Sequence, residues 1–338
     1  MPGAIVIAGR ESGEEKRDLP GSSLSLAIER RQRFLAGVEL LGQSVFGRLV
    51  RQLLDLALEK TAIFVDSSLT LDFDDLSEVD GYTTSDMWRA AERSLIEAKE
   101  AGVNDVLVVR AGAYVEFDPV ELLQFHKANG NSITRACDGR GALDVWVVDA
   151  GIVEESRTLP ASLYGAGEPY YPVTGYVNRM ENLRDLRRLV ADGLNSRCAF
   201  RPRGFEMRPG VWMAEGAQVE RGARIVAPCF IGRDVKVSEQ CLITRCSNIE
   251  SNCHIDYGTA VEDSSVLKGT YVGIGLDVSH SVVDGTCLLN LSREVMLEIT
   301  DPVVMRQMRQ IKPRAEGKRQ LPSNFRHAEA ALSAADHS

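Results

Sequence analysis

No stretch of this sequence reaches the ~18 consecutive apolar residues that a membrane-crossing helix needs, so no transmembrane helix is expected. The first residues, Met1-Pro-Gly-Ala-Ile-Val-Ile-Ala, lack the basic start and long apolar core of a secretory leader. Positive charge is in deficit: 39 Lys and Arg stand against 48 Asp and Glu, a net charge of −9. That balance argues against a general nucleic-acid binder, which needs a basic footprint. Seven cysteines are present, yet no two form a Cys-x-x-Cys pair, so redox and zinc-ribbon motifs are missing. The expectation is a cytoplasmic protein with no membrane span and no nucleic-acid partner.

What is present is a period of six. Met213, Val219, Ile225, Ile231, Val237, Ile243, Ile249, Ile255 and Val261 follow one another at six-residue spacing. Two residues before eight of them stands a small or slender side chain, including Ala217, Cys229, Cys241, Ser247, Cys253 and Thr259. Chance would produce such a run somewhere in the chain with a probability of about 10⁻³, given ordinary aliphatic content. This is a hexapeptide repeat, the signature of a β-helix. Three hexapeptides make a triangular coil, and stacked coils bury what no coil can bury alone. Met213, Ile231 and Ile249 should therefore stack on one wall. Val219, Val237 and Ile255 belong on the second, and Ile225, Ile243 and Val261 on the third. The spacing slips to five at Val266, which predicts a bulged corner near 262–265 or changed packing on one wall. Three cysteines occupy small-residue positions and read as buried hydrophobes. A zinc site from Cys241, Cys246, Cys253 and His254 is the sharper alternative.

Ahead of the repeat, strand and helix patterns alternate. Strands are expected at 4–8, 61–65 and 105–110, and helices at 24–36, 45–58, 86–101, 119–129 and 182–193. Two further strand-like runs follow at 132–136 and 145–149, while 10–21 is too charged to be core. The alternation indicates an α/β domain with a mostly parallel sheet. The expected division is an α/β domain over 1–204, the β-helix over 205–295, and a helical segment with a mobile tail over 296–338.

This layout resembles the sugar-phosphate nucleotidyltransferases, the NDP-sugar pyrophosphorylases such as mannose-1-phosphate guanylyltransferase. The resemblance rests on Ile231-Gly-Arg-Asp-Val, Ser265-Val-Leu-Lys-Gly-Thr-Tyr-Val-Gly and Ser281-Val-Val-Asp-Gly in the repeat. Ahead of it, 38–54, 105–129 and Val147-Val-Asp-Ala-Gly-Ile match in shape. It implies a Rossmann-like nucleotidyltransferase domain followed by a left-handed parallel β-helix. It also implies nucleotidyl transfer from an NTP to a sugar-1-phosphate with Mg²⁺, which requires phosphate donors and metal-binding carboxylates.

The motifs of that chemistry are degenerate here. The glycine-rich loop is reduced to Gly9-Arg10-Glu11-Ser12-Gly13 and is followed by Glu14 and Glu15. Gln43 stands where the resemblance implies a lysine, Arg110-Ala-Gly-Ala where it implies Gly-Asp, and Asn178 near the second metal carboxylate. The candidates that remain are Gly9 and Arg10 for nucleotide, Asp149 and Gly151 for sugar, and Glu116 and Asp118 for a metal. The expectation is a catalytically impaired relative with a regulatory or assembly role, binding a nucleotide sugar or sugar phosphate weakly or not at all. It would associate through the β-helix with itself or with an active relative. One alternative is an active pyrophosphorylase using Mg²⁺. Another is a hexapeptide acyltransferase using acyl-CoA, with His254 or His280 as general base.

Overall fold

The structure, a computed structural model, describes residues 3–9, 34–56, 58, 60–69, 80–154, 158–311 and 325–327. Arg10, the charged stretch 10–21 and most of the expected helix 24–36 lie outside them. Leu35–Gly37 forms a 3-10 turn. The chain is mixed α/β, with parallel sheets and a run of many short strands of β-helix type. It forms two compact units, and both are discontinuous in sequence. The first draws on Met1–Glu15, Val45–Arg179 and Leu321–Ser338, the second on Lys16–Ser44 and Met180–Gln320. Among the described residues, no helix is long and apolar enough to cross a membrane.

The first unit is built on β1 (Gly3–Ala8), β2 (Thr61–Asp66), β3 (Gly81–Thr84), β4 (Asp105–Arg110), β5 (Tyr114–Val115), β6 (Ile133–Asp138), β7 (Gly141–Asp149), β8 (Tyr171–Pro172) and β9 (Val177–Asn178). The main sheet runs Phe325–His327, β3, β2, β1, β4, β7, β6, β8. β1 is buried along its whole length, as a central strand covered on both faces must be. β2, β1 and β4 are parallel, while β7 runs antiparallel to β4 and to β6. Helix α1 (Val45–Leu54) follows the Leu40–Gln43 turn. Helix α2 (Met87–Glu100) is capped by Asp86, whose carboxylate accepts the Arg89 N–H. Helix α3 (Pro119–Asn129) starts at Asp118 and ends at the left-handed Gly130, and α4 (Leu159–Tyr164) is short. One face of the sheet packs Ile5, Ile7, Phe64, Val108 and Trp146 against Leu95 of α2 and Leu163 of α4.

Two details differ from the sequence expectation. The tail is not featureless: Phe325–His327 pairs with β3, and the Phe325 ring occupies the space that a side chain at Gly81 would need. Helix α5 (Leu183–Leu194), expected at the end of the α/β domain, belongs to the second unit.

In the second unit the three expected stacks form. Met213 pairs with Ile231 and Ile231 with Ile249. Val219, Val237 and Ile255 form the second ladder, and Ile225, Ile243 and Val261 the third. The slip after Val261 is a shortened corner and not a bulge. Ile249 pairs with Val266, and Val266 in turn with Val283. The corner before Ser247 turns through two left-handed residues, Arg245 and Cys246. The corners below it turn through one each, Asp263 and His280. Ser247, Ser264 and Ser281 line this edge inside, and each later residue's backbone N–H donates to the hydroxyl one coil above. The cysteines at the small-residue positions, Cys229, Cys241 and Cys253, are interior: the Cys241 thiol donates to Asp256 O and the Cys253 thiol to Leu267 O. Burial pushes both thiols above their ordinary pKa.

The outer face of one wall is polar and still buried. Asn248, Glu250 and Ser265 are wholly out of water. Arg187 of α5 reaches them, donating to Asn248 Oδ1 and Ser265 Oγ at 3.0 Å each and to Asp263 Oδ1 at 2.9 Å. Glu250 takes the backbone N–H groups of Leu41 (2.7 Å) and Gly42 (3.0 Å), both in left-handed conformation, and the Asn248 amide at 2.6 Å. Glu39 lies on the same wall, accepting from Ser251 and facing Lys268 at 3.6 Å.

Burial and the neighbouring Glu39 raise the Glu250 pKa to about 8. A carboxyl raised in the folded state adds stability that is complete below its unfolded pKa of ~4.3 and is lost as pH rises through the folded value. Urea denaturation from pH 5 to 8 should show wild-type stability falling relative to Glu250→Gln, whose amide does not ionise. A gap between the two proteins that stays constant over that range would refute the assignment.

Candidate functional site

The end of the sheet where β1, β2 and β4 finish is the edge at which parallel α/β sheets present their ligands. The register of the strands decides what stands there. Val108 of β4 lies opposite Trp146 of β7, so the next outward pair on that face is Arg110 and Asp144. Arg135 of β6 lies opposite Trp146 from the other side. The result is an ion cluster. Arg110 Nη1 donates to Asp144 Oδ2 at 3.1 Å and to Tyr164 Oη at 3.0 Å. Arg135 Nη2 donates to Asp144 Oδ1 at 3.1 Å, and Arg135 Nε to the Leu143 carbonyl at 2.8 Å. The Arg135 guanidinium also lies 5.1 Å from both the Trp146 and Tyr164 ring centres. Trp146 is held in turn by its indole N–H on the Leu163 carbonyl. Two cations share one carboxylate, and aromatic faces take the remaining charge.

At the end of β1, Gly9 is covered. A side chain there would collide with the Met87 thioether and press on Asp66. Met87 opens α2 and is buried. The Asp66 carboxylate accepts the Ser68 N–H and so closes its own turn.

The sequence candidates do not converge on one place. Asp149 pairs with Asp105, at the start of β4, so it and Gly151 lie at the opposite end of the sheet from Gly9. Six strand residues separate the two ends, roughly 17 Å. The cause is the antiparallel run of β7, which reverses its chemistry end for end. Asp149 Oδ1 accepts the Gly151 N–H, a local turn closure. Asp118 caps α3 through the Val120 N–H, and Glu116 accepts the Tyr114 hydroxyl at 2.7 Å. Both line a cleft of about 310 Å³ with Glu121 and Tyr171. Among the described residues, no three His, Cys, Asp or Glu side chains group as metal ligands would.

The histidines lie in the second unit. His254 Nε2 is 3.2 Å from Ser238 Oγ, and its ring meets Tyr271 edge-on. His280 Nδ1 is 2.7 Å from Asp263 Oδ2 at the shortened corner. His254 lies on a strand of one wall, whereas His280 is a corner residue between two strands.

Asp144, Arg135 and Tyr164 were missed at the level of sequence. The available signal was the spacing Asp144-x-Trp146, which puts both side chains on one face of a strand. No known protein family's sequence profile matches the chain, and no curated protein matches it either.

Asp144 holds the two arginines together at the end of β4. Asp144→Ala should lower stability by about 1–3 kcal/mol in chemical denaturation, the partial exposure of the carboxylate limiting the loss. A change below about 0.5 kcal/mol would show that the cluster contributes nothing to the fold.

Proposed function

We propose that this chain is a sugar-phosphate nucleotidyltransferase-like protein of nucleotide-sugar metabolism whose transfer chemistry has been lost. Its remaining role is regulatory or in assembly. The observation that carries this reading is the Arg110 cluster. Where the resemblance implies a metal-binding carboxylate after β4, the chain presents a guanidinium that already occupies a neighbouring carboxylate, Asp144, which it shares with Arg135. A divalent cation there would meet two arginines and one neutralised acid, and its Coulomb term would be repulsive. Mg²⁺ is therefore not a group that these residues fit. The neighbouring carboxylates are turn-closing or capping groups: Asp66, Asp118 and, on the Tyr114 hydroxyl, Glu116.

The β1 end supports the same conclusion. A phosphate-binding turn works by presenting free backbone N–H groups. Here the Met87 side chain lies directly on Gly9 and makes the approach apolar. The β-helix, by contrast, keeps its interior ladders intact over every coil. In this reading it is a left-handed solenoid that mediates association, with further copies of the chain or with a catalytically active relative.

The deciding assay is pyrophosphate release from each NTP with a panel of sugar-1-phosphates and Mg²⁺. The expected rate is that of the protein-free blank. Turnover several-fold above the blank that disappears on substitution of a single residue at the β4 end would overturn the proposal.

A further inference from the structure

The second feature of the β4 end lies on the opposite face of the sheet. Val109 and Val145 alternate with Val108 and Trp146, so they point away from the aromatic cluster. There they floor a narrow cavity of about 30 Å³ closed by α1. Val45, Arg48, Leu49 and Gln52 of α1 line it, which is the i, i+3, i+4, i+7 pattern of one helix face. Ala113, Tyr114, Val115 and Phe117 complete the apolar wall, and Arg110 and Asp144 stand at the rim.

Arg48 is half-buried. Among the described residues its one interaction is with the Tyr114 ring, 6.0 Å from guanidinium carbon to ring centre. Neither carboxylate nor carbonyl takes its N–H groups there, and the Gln52 amide has no partner either. Every other arginine in this region is committed: Arg110 and Arg135 to Asp144, and Arg179 to Asp138 at 2.6 Å. A partly desolvated guanidinium without a counter-ion costs free energy unless something anionic completes it. The charge balance of the lining residues is one positive in excess, Arg48 and Arg110 against Asp144.

We infer that this cavity binds a small organic monocarboxylate, its head group on Arg48 and Gln52 and its alkyl or aryl body against the valine and aromatic wall. A planar carboxylate matches the guanidinium fork. The enclosed volume admits a head group and leaves a larger body in the mouth. A dianionic phosphate is disfavoured by the Asp144 carboxylate at the rim. The mostly apolar lining offers few partners to the hydroxyls of a sugar. This inference does not rest on the lost-transferase reading and stands or falls separately.

The test is a thermal-shift and calorimetric titration of the full-length protein with benzoate, butyrate, benzamide, inorganic phosphate and glucose 1-phosphate. Benzoate and butyrate should raise the melting temperature in a saturable way, and benzamide should not. Arg48→Gln should weaken benzoate binding at least tenfold while leaving the ligand-free melting temperature nearly unchanged. Should that variant misfold, Arg48→Lys keeps the charge without the fork and should weaken binding in part. The inference is overturned by any of four results: no benzoate response in the wild type, equal benzoate binding in wild type and variant, benzamide binding as well as benzoate, or Arg48-dependent binding of phosphate or glucose 1-phosphate that is tighter than that of benzoate.

Discussion

One wall of the β-helix carries polar side chains on a face that water does not reach, and much of the second unit follows from satisfying them. Asn248, Glu250 and Ser265 project from adjacent coils and would each leave unpaired donors or acceptors if covered by apolar residues alone. The cover is accordingly specific. Helix α5 contributes Arg187, and the turn at Leu41–Gly42 contributes two backbone N–H groups aimed at one carboxylate. The turn presents its N–H groups as a nest, and the Glu250 carboxyl, whose ionisation burial and Glu39 oppose, fills it from within the chain. These contacts explain why residues near position 40 and position 187 belong to the same compact unit as a repeat that begins after position 210. The Arg187 guanidinium is almost wholly buried and its pKa is lowered by that burial, but its partners are all in place. A network satisfied in this way selects one arrangement of helix and turn against the wall over the alternatives.

The end of the main sheet shows the opposite economy. Charges there pair locally, two arginines on one carboxylate, and apolar side chains cover the backbone. Arg110 and Arg135 share Asp144, and the rings of Tyr164 and Trp146 lie against the Arg135 guanidinium. A site evolved for phosphoryl chemistry holds its field ready for the transition state. Here the two arginines are already held by Asp144 and by aromatic rings, an arrangement that ties the strand ends together. The other face of the same strands differs, because Arg48 enters it without a compensating acid among the described residues.

Legibility of the sequence tracked how local each feature is. The hexapeptide stacks could be assigned residue by residue, because each interior position repeats the same environment and the period alone sets the register. The parallel β1, β2 and β4 followed from alternation with helices. Direction within the sheet was not legible. Nothing in Val145–Asp149 says which way the strand runs, and the antiparallel run of β7 carried Asp149 to the far end. The backbone N–H partners of Glu250, on Leu41 and Gly42, lie more than two hundred residues away, beyond any sequence window. The corner at 262–265 was visible as a lost residue. Whether it tightens or bulges depends on backbone conformation at Asp263, which spacing does not encode.

The strand Phe325–His327 has a consequence for the order in which this protein is made. It supplies the outer neighbour of β3, and so completes the first unit's sheet with residues synthesised after the whole β-helix. Until they emerge, β3 presents an unpaired backbone edge, with Gly81 bare where the Phe325 ring will later sit. An open strand edge is a template for pairing with other chains. The nascent first unit must therefore wait, incomplete, while the second unit folds. During translation that edge is open to pairing, and cutting after the β-helix would leave it so.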